Sequence, residues 1–115
     1  MLPEGKDQAF LWDMREAAGD ISRTVLELNA QEFVETKFTR LAVERLAMIL
    51  GVAAAKLSDA YRLAHPELGW RRIQGLDHEY GAARAQELYR TCREFVVPLS
   101  RQLDALCPLP PADNL

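Results

Sequence analysis

The chain has 115 residues and a mass of 13.0 kDa, is 49% hydrophobic and 27% charged, and carries a formal net charge of −3. These values predict one globular domain with a single core, large enough to bury about two-thirds of its unfolded surface without disulfides or a structural metal. An isoelectric point near 5.4 excludes nucleic-acid binding through bulk charge, so any contact with RNA or DNA has to be local.

The first ten residues hold Glu4, Lys6 and Asp7 where a secretory signal needs an unbroken apolar run, so a cytoplasmic location is expected. From there Leu11, Met14, Ala18, Ile21, Val25 and Leu28 recur at three- and four-residue steps, the pattern of a first helix of about six turns with one buried stripe. Asp7 is its expected cap. Asn29 with Glu32 three residues on has the form of a capping box, which predicts a short helix through Phe33 before the chain restarts at Thr36.

The longest helix is expected next, with Leu46, Ile49, Leu50, Ala53, Leu57, Tyr61 and Ala64 on one face. It stops at His65-Pro66, because the residue before proline is pushed out of the helical region. Residues 46–55 are its longest charge-free run, ten residues against the roughly 20 needed to span a bilayer, so no membrane segment is expected. Gly51 costs about 1 kcal/mol relative to alanine in mid-helix, and Ala53, Ala54 and Ala55 keep that surface flat, which suggests that another helix lies close. That helix belongs either to the same chain or to a second copy; a homodimer is expected, since cyclic pairs are the commonest oligomers.

A short turn around 70–75 leads to a last helix over about 81–106, with Leu88, Cys92, Phe95, Leu99, Leu103 and Leu106 on its apolar stripe. Pro98 lies inside it and leaves the Glu94 carbonyl without its helical donor, which predicts a kink near Glu94. Pro108, Pro110 and Pro111 then end regular structure, giving a core over about 8–106 and a Pro-rich tail over 107–115. No stretch alternates as a strand does, so the expected fold is all-α, a four- to five-helix up-and-down bundle. Cys92 and Cys107 would lie about 20 Å apart on one helix, too far for a bridge, and are expected as free thiols. With only His65 and His78 besides, no metal site is expected, and no Gly-rich phosphate loop points to a cofactor. Trp12 and Trp70 read as packing anchors, and Tyr61 and Tyr89 as core residues with the hydroxyl at the edge.

Charge is uneven along the chain. Residues 1–36 hold three basic and eight acidic side chains, whereas 62–93 hold six arginines against four acids. Arginine's planar fork fits phosphate oxygens at two points, although a solvated helix face with exchangeable ion pairs gives the same pattern. Within that window residues 69–81 read GWRRIQGLDHEYG and bring together Arg71, Arg72, His78 and Tyr80. Histidine exchanges a proton near neutral pH, arginine holds a phosphodiester and its developing charge, and tyrosine offers a hydroxyl. That set suffices for metal-free RNA cleavage, in which a deprotonated ribose 2′-OH attacks the adjacent phosphorus; DNA lacks the hydroxyl and is spared.

The run Arg40-Leu41-Ala42-Val43-Glu44-Arg45 is followed by Lys56-Leu57-Ser58-Asp59, His65-Pro66-Glu67, Trp70-Arg71-Arg72-Ile73, Gly75-Leu76, His78-Glu79-Tyr80 and Pro98-Leu99. In this order they resemble the HepT-like branch of the HEPN superfamily over about residues 10–106. The resemblance implies an all-α dimer encoded beside a minimal nucleotidyltransferase as a toxin–antitoxin pair, whose toxin is an RNase. It implies that His78 is the motif histidine, and that Tyr80 is both the motif tyrosine and the residue the partner nucleotidyltransferase adenylylates to silence the toxin. An AMP phosphate on that hydroxyl would add bulk and negative charge beside His78 and repel an RNA backbone.

The sequence departs from the family pattern in two places. Gly75-Leu76 runs almost directly into Asp77-His78 where the family has Arg-Asn and a few apolar residues, so Arg72 and Arg71, with five and six residues between them and His78, are left to fill the arginine position. Val52 stands where relatives commonly carry an acid after the glycine. Two functions follow as expectations, an RNase toxin using His78, Arg72, Tyr80 and Arg71, or a non-catalytic binding partner of a nucleotidyltransferase. A plain helical scaffold is the third.

Overall fold

The computed structural model describes residues 5–77 and 84–107. Helix α1 spans Lys6–Leu26 and turns Leu11, Met14, Ala17, Ala18, Ile21 and Val25 inward, as the three- and four-residue periodicity predicts. Its start differs from expectation. Gly5 occupies the cap position with φ +54° and no side chain closes the end, while Asp7 lies inside the first turn. The Asp7 carboxylate instead accepts hydrogen bonds from the Ser58 backbone N–H (2.8 Å) and the Ser58 hydroxyl (2.5 Å). An acid near a helix N-terminus is favoured by the macrodipole whether or not it caps, and here it also clamps two distant segments together.

The capping box forms as expected. The Glu32 N–H donates to Asn29 Oδ1 at 2.8 Å, the Asn29 N–H donates to Glu32 Oε1 at 2.9 Å, and α2 runs Ala30–Glu35 with Phe33 buried. The next helix, α3, spans Lys37–Lys56 and buries Val43, Ala47, Leu50, Gly51, Ala53 and Ala54. It ends eight residues before the expected stop. Leu57 and Ser58 are extended, the Ser58 hydroxyl accepts from the Tyr61 N–H at 3.1 Å, and a separate helix α4 covers Asp59–Ala64. A serine that can satisfy an orphan N–H of the next turn competes with the helix it interrupts, which is the local signal the apolar periodicity masked. The Arg62 guanidinium donates to the Ala54 and Ala55 carbonyls at 3.1 and 3.2 Å, so the freed end of α3 is closed by a side chain. Leu57 and Tyr61 remain buried across the break, but Ala64 is exposed.

The chain leaves α4 at His65-Pro66 as predicted, passes a 3₁₀ turn Pro66–Leu68, and enters α5, Trp70–Gln74, through Gly69 at φ +66°. The Trp70 indole N–H donates to the Arg62 and His65 carbonyls, 3.1 and 2.9 Å away, which ties α5 to the end of α4 and makes Trp70 the anchor expected of it. A second 3₁₀ turn, Gly75–Asp77, follows. The close neighbour expected at Gly51 belongs to the same chain, since α3 packs there against α5 and this turn.

Helix α6 (Ala85–Thr91), a π turn (Cys92–Val96) and α7 (Val97–Leu106) follow without interruption. The irregularity expected near Glu94 takes the form of this π turn, in which the Val97 N–H reaches the Cys92 carbonyl. One wider turn lets the backbone pass Pro98, which sits in the first turn of α7, without a break. The expected start of the last helix at 81 and the tail from 108 lie outside the described residues.

Arg15 meets Asp104 at 2.9 Å and the Arg93 guanidinium approaches the Val25 carbonyl at 3.4 Å, so α1 and α6–α7 run antiparallel. The Asp7–Ser58 contact sets α1 antiparallel to α3 in the same way. The fold is therefore an all-α bundle of three long helical runs with short helices at its ends, and no strand occurs among the described residues. No helix among them is long and apolar enough to cross a membrane.

Both cysteines are buried free thiols, as expected. Burial pushes the Cys92 thiol from 9.0 up to about 12. The folded protein keeps that proton between these values while the unfolded chain loses it, so stability from this group is complete below about pH 9 and declines as pH rises toward 12. Cys92→Ala is expected to lower Tm at pH 7 by a few degrees and to show a shallower fall in Tm than wild type between pH 8 and 11, measured by thermal unfolding monitored by circular dichroism.

Candidate functional site

Of the four residues singled out from the sequence, Arg71 and Arg72 are described, and both are exposed on α5. His78 and Tyr80, and with them the modification expected at Tyr80, lie outside the described residues. Neighbouring residues on a helix diverge by about 100°. The two arginines accordingly face different surroundings.

Arg72 points toward the π turn, with its guanidinium 4.4 Å from the centroid of the Phe95 ring. A Cβ on Gly69 would also rest on Phe95, 3.6 Å away, so the ring is bracketed by the left-handed entry to α5 and by the arginine one turn on. Stacking leaves the edge of the fork free, and a stacked guanidinium is still able to bind an oxyanion at two points. Because Phe95 belongs to the π turn, the wide winding decides where this platform lies.

Arg71 lines an open groove of about 520 Å³ between α3 and α5, together with Gly51, Val52, Ala55, Lys56, Gln74 and Gly75. Val52 is 40% exposed and supplies an apolar wall to the groove. Lys56 was not legible as a site residue, since only the packing of α5 on the last turn of α3 places it in the same groove as Arg71.

Other cations of the arginine-rich segment have structural partners. Arg62 closes α3 and pairs with Asp59 at 2.5 Å. Arg93 lies 5.9 Å from the Tyr89 ring and reaches the end of α1. Part of the charge asymmetry therefore closes helix ends.

His65 is half-buried against the core. Its Nδ1 lies 3.4 Å from Glu67, its ring is 4.5 Å from that of Tyr61, and its Nε2 is buried with no hydrogen-bond partner among the described residues. Tyr61 departs from expectation. Its hydroxyl is not at the edge of the core but buried with no partner among the described residues, and burial above all, then the charges of Cys107, Asp7 and Glu67, pushes its pKa up. Tyr89 fits expectation, with its hydroxyl donating to the Leu28 carbonyl at 2.5 Å.

This bundle, with Arg71 and Arg72 on the turn before His78, matches the family described as Ribonuclease HepT-like over residues 14–106. The chain belongs to the HepT-like ribonuclease family. Among its HepT-like relatives, the protein described as "Putative RNase MJ1380" from Methanocaldococcus jannaschii is 27% identical, over 84% of this chain and 93% of its own. The "Probable ribonuclease HepT" of Thermococcus cleftensis is 28% identical, over 84% of this chain and 92% of its own. No solved structure matches the chain.

If Phe95 holds Arg72, the two side chains are energetically coupled. A double-mutant cycle on Arg72→Gln and Phe95→Leu, followed by urea unfolding, is expected to return a coupling of about 0.5–1 kcal/mol; additive effects would show that the stack contributes nothing.

Proposed function

We propose that this HepT-like chain is the toxin of a toxin–antitoxin pair, a metal-independent endoribonuclease that a cognate minimal nucleotidyltransferase silences by adenylylating Tyr80. His78 takes the proton of a ribose 2′-OH, the 2′-oxygen attacks the adjacent phosphorus, and the bond to the 5′-oxygen breaks as that oxygen gains a proton. Arg72 holds the phosphate and its developing charge, and Tyr80 contributes its hydroxyl; Arg71 faces the other side of α5 and takes no part in this step. In silencing, the Tyr80 oxygen attacks the α-phosphorus of ATP and pyrophosphate leaves.

The observation that supports this reading most is the family match over 14–106, joined to an exposed arginine stacked on Phe95 six residues before His78. A second reading is a catalytically degenerate binding partner of the transferase. It is favoured by the shortened run from Gly75 to His78 and by Val52 in the groove.

The proposed assembly is a homodimer formed through α3. Phe38 (83% exposed), Leu41, Arg45, Met48 and Val52 recur on its outer side at steps of 3, 4, 3 and 4. That 3.5-residue period is the seam by which one helix packs along another, and a second copy carries the same seam. Sedimentation velocity is expected to give a dimer for wild type and a monomer for the double variant Phe38→Ser, Leu41→Ser.

Incubation of total RNA with purified protein tests the activity. Wild type is expected to cleave, His78→Ala to lose at least about 100-fold in rate, and prior incubation with ATP and the nucleotidyltransferase to block wild type. Intact RNA at every wild-type concentration, with a stable complex to the transferase, would establish the binding-partner reading instead.

A further inference from the structure

The groove between α3 and α5 has a composition that the arginine–histidine chemistry does not use. Lys56 stands in the last turn of α3 and Arg71 in the last turn of α5, and both line it. Among the described residues, no carboxylate lines it. Arg15, Arg23, Arg40 and Arg62 each pair with an aspartate or glutamate, whereas no described carboxylate pairs with Lys56 or Arg71.

Two further features keep this field positive. The exposed carbonyls at the end of α3, which would otherwise present negative charge beside Lys56, are taken up by Arg62. Val52 supplies an apolar side chain rather than a carboxylate that would neutralise either cation. Gly75 faces the groove, and the absence of a side chain there lets a ligand approach the backbone. The Lys56 ammonium rests 5.6 Å from the Phe10 ring, which lines the adjoining pocket rather than this groove, and its flexible stem allows it to turn inward. At about 520 Å³ the groove lies in the range of ligand clefts and is open along its length.

We propose that this groove is a subsite for the phosphate backbone of single-stranded RNA, with Lys56 and Arg71 as its two cations and the Gln74 amide as an accessory donor. The inference rests on the RNA reading above and extends it. Arg72, on the other side of α5 over Phe95, holds the phosphate at the reacting position, and the groove holds the strand beyond it. Point charges on phosphate carry no sequence information, so the subsite adds affinity without base preference.

The test is fluorescence anisotropy with a labelled single-stranded oligonucleotide whose 2′-oxygens are methylated, so that cleavage cannot occur. Lys56→Gln and Arg71→Gln are each expected to weaken binding by about fivefold and to lower the slope of log affinity against log salt by about 0.7. Ala55→Glu, which adds a carboxylate at an exposed groove position outside the proposed dimer seam, is expected to weaken it similarly. Arg101→Gln on α7, equally exposed but outside the groove, should bind as wild type does. Wild-type binding that is unchanged in the Lys56 and Arg71 variants would overturn the subsite while leaving the RNA reading intact. Binding that responds as predicted, with no cleavage of unmethylated RNA, would establish the subsite and remove the nuclease reading; absence of wild-type binding at low salt would overturn both.

Discussion

Helix α1 carries Leu11, Met14, Ala18, Ile21 and Val25 with no exposed surface, and a stripe that wide is covered only when helices lie against it from two sides. The sides are α3 and the α6–α7 run, both antiparallel to α1. Each large apolar side chain buried there contributes about 1.5–3 kcal/mol, against a total stability of about 5–15 kcal/mol for a domain. Loss of any one is therefore felt by the whole molecule. Polar contacts then set the register of the three helices, with Asp7 on Ser58 at one end of α1, Arg93 on the Val25 carbonyl at the other, and Arg15 on Asp104 between.

This arrangement positions the functional turn. With α3 laid along α1 and ended at Lys56, the chain has to reverse, and it does so through Ser58, His65-Pro66 and the left-handed Gly69. The Trp70 indole, donating to the carbonyls at 62 and 65, fixes the reversal and hence the direction of α5. One side of α5 then closes a groove against the glycine-marked surface of α3, and the other meets Phe95 on the π turn. The two consecutive arginines thus enter separate environments, one open and one stacked. Wide helical turns of this kind are frequent at functional sites, and here the turn carries the aromatic platform.

Helix content, the apolar stripe of α1, the capping box at Asn29, the stop at His65-Pro66 and the irregularity near Glu94 were all legible from short-range pattern. Each depends on residues within about one or two turns of one another, where backbone sterics and local hydrogen bonds act alone. The interruption at Ser58 was also local but was hidden, because Leu50, Leu57 and Tyr61 keep their buried spacing through it and periodicity does not register a change of axis. Among the site residues, Arg71 and Arg72 were visible as residue types on a turn. Their divergence was not, since it depends on which helices lie on the two sides of α5.

The sequence by itself determined an all-α chain of this family, the stripe and length of its first helix, and the arginines, histidine and tyrosine on which nucleotide chemistry would draw. Tertiary structure decided what those residues face. Asp7 became a clamp on Ser58 rather than a cap, the Tyr61 hydroxyl was buried rather than left at the edge, Arg72 was stacked on Phe95, and Lys56 joined Arg71 in one groove. Each of these pairs or environments joins segments separated along the chain, and no local pattern encodes a contact whose partner arrives only when separate helices pack against a common core.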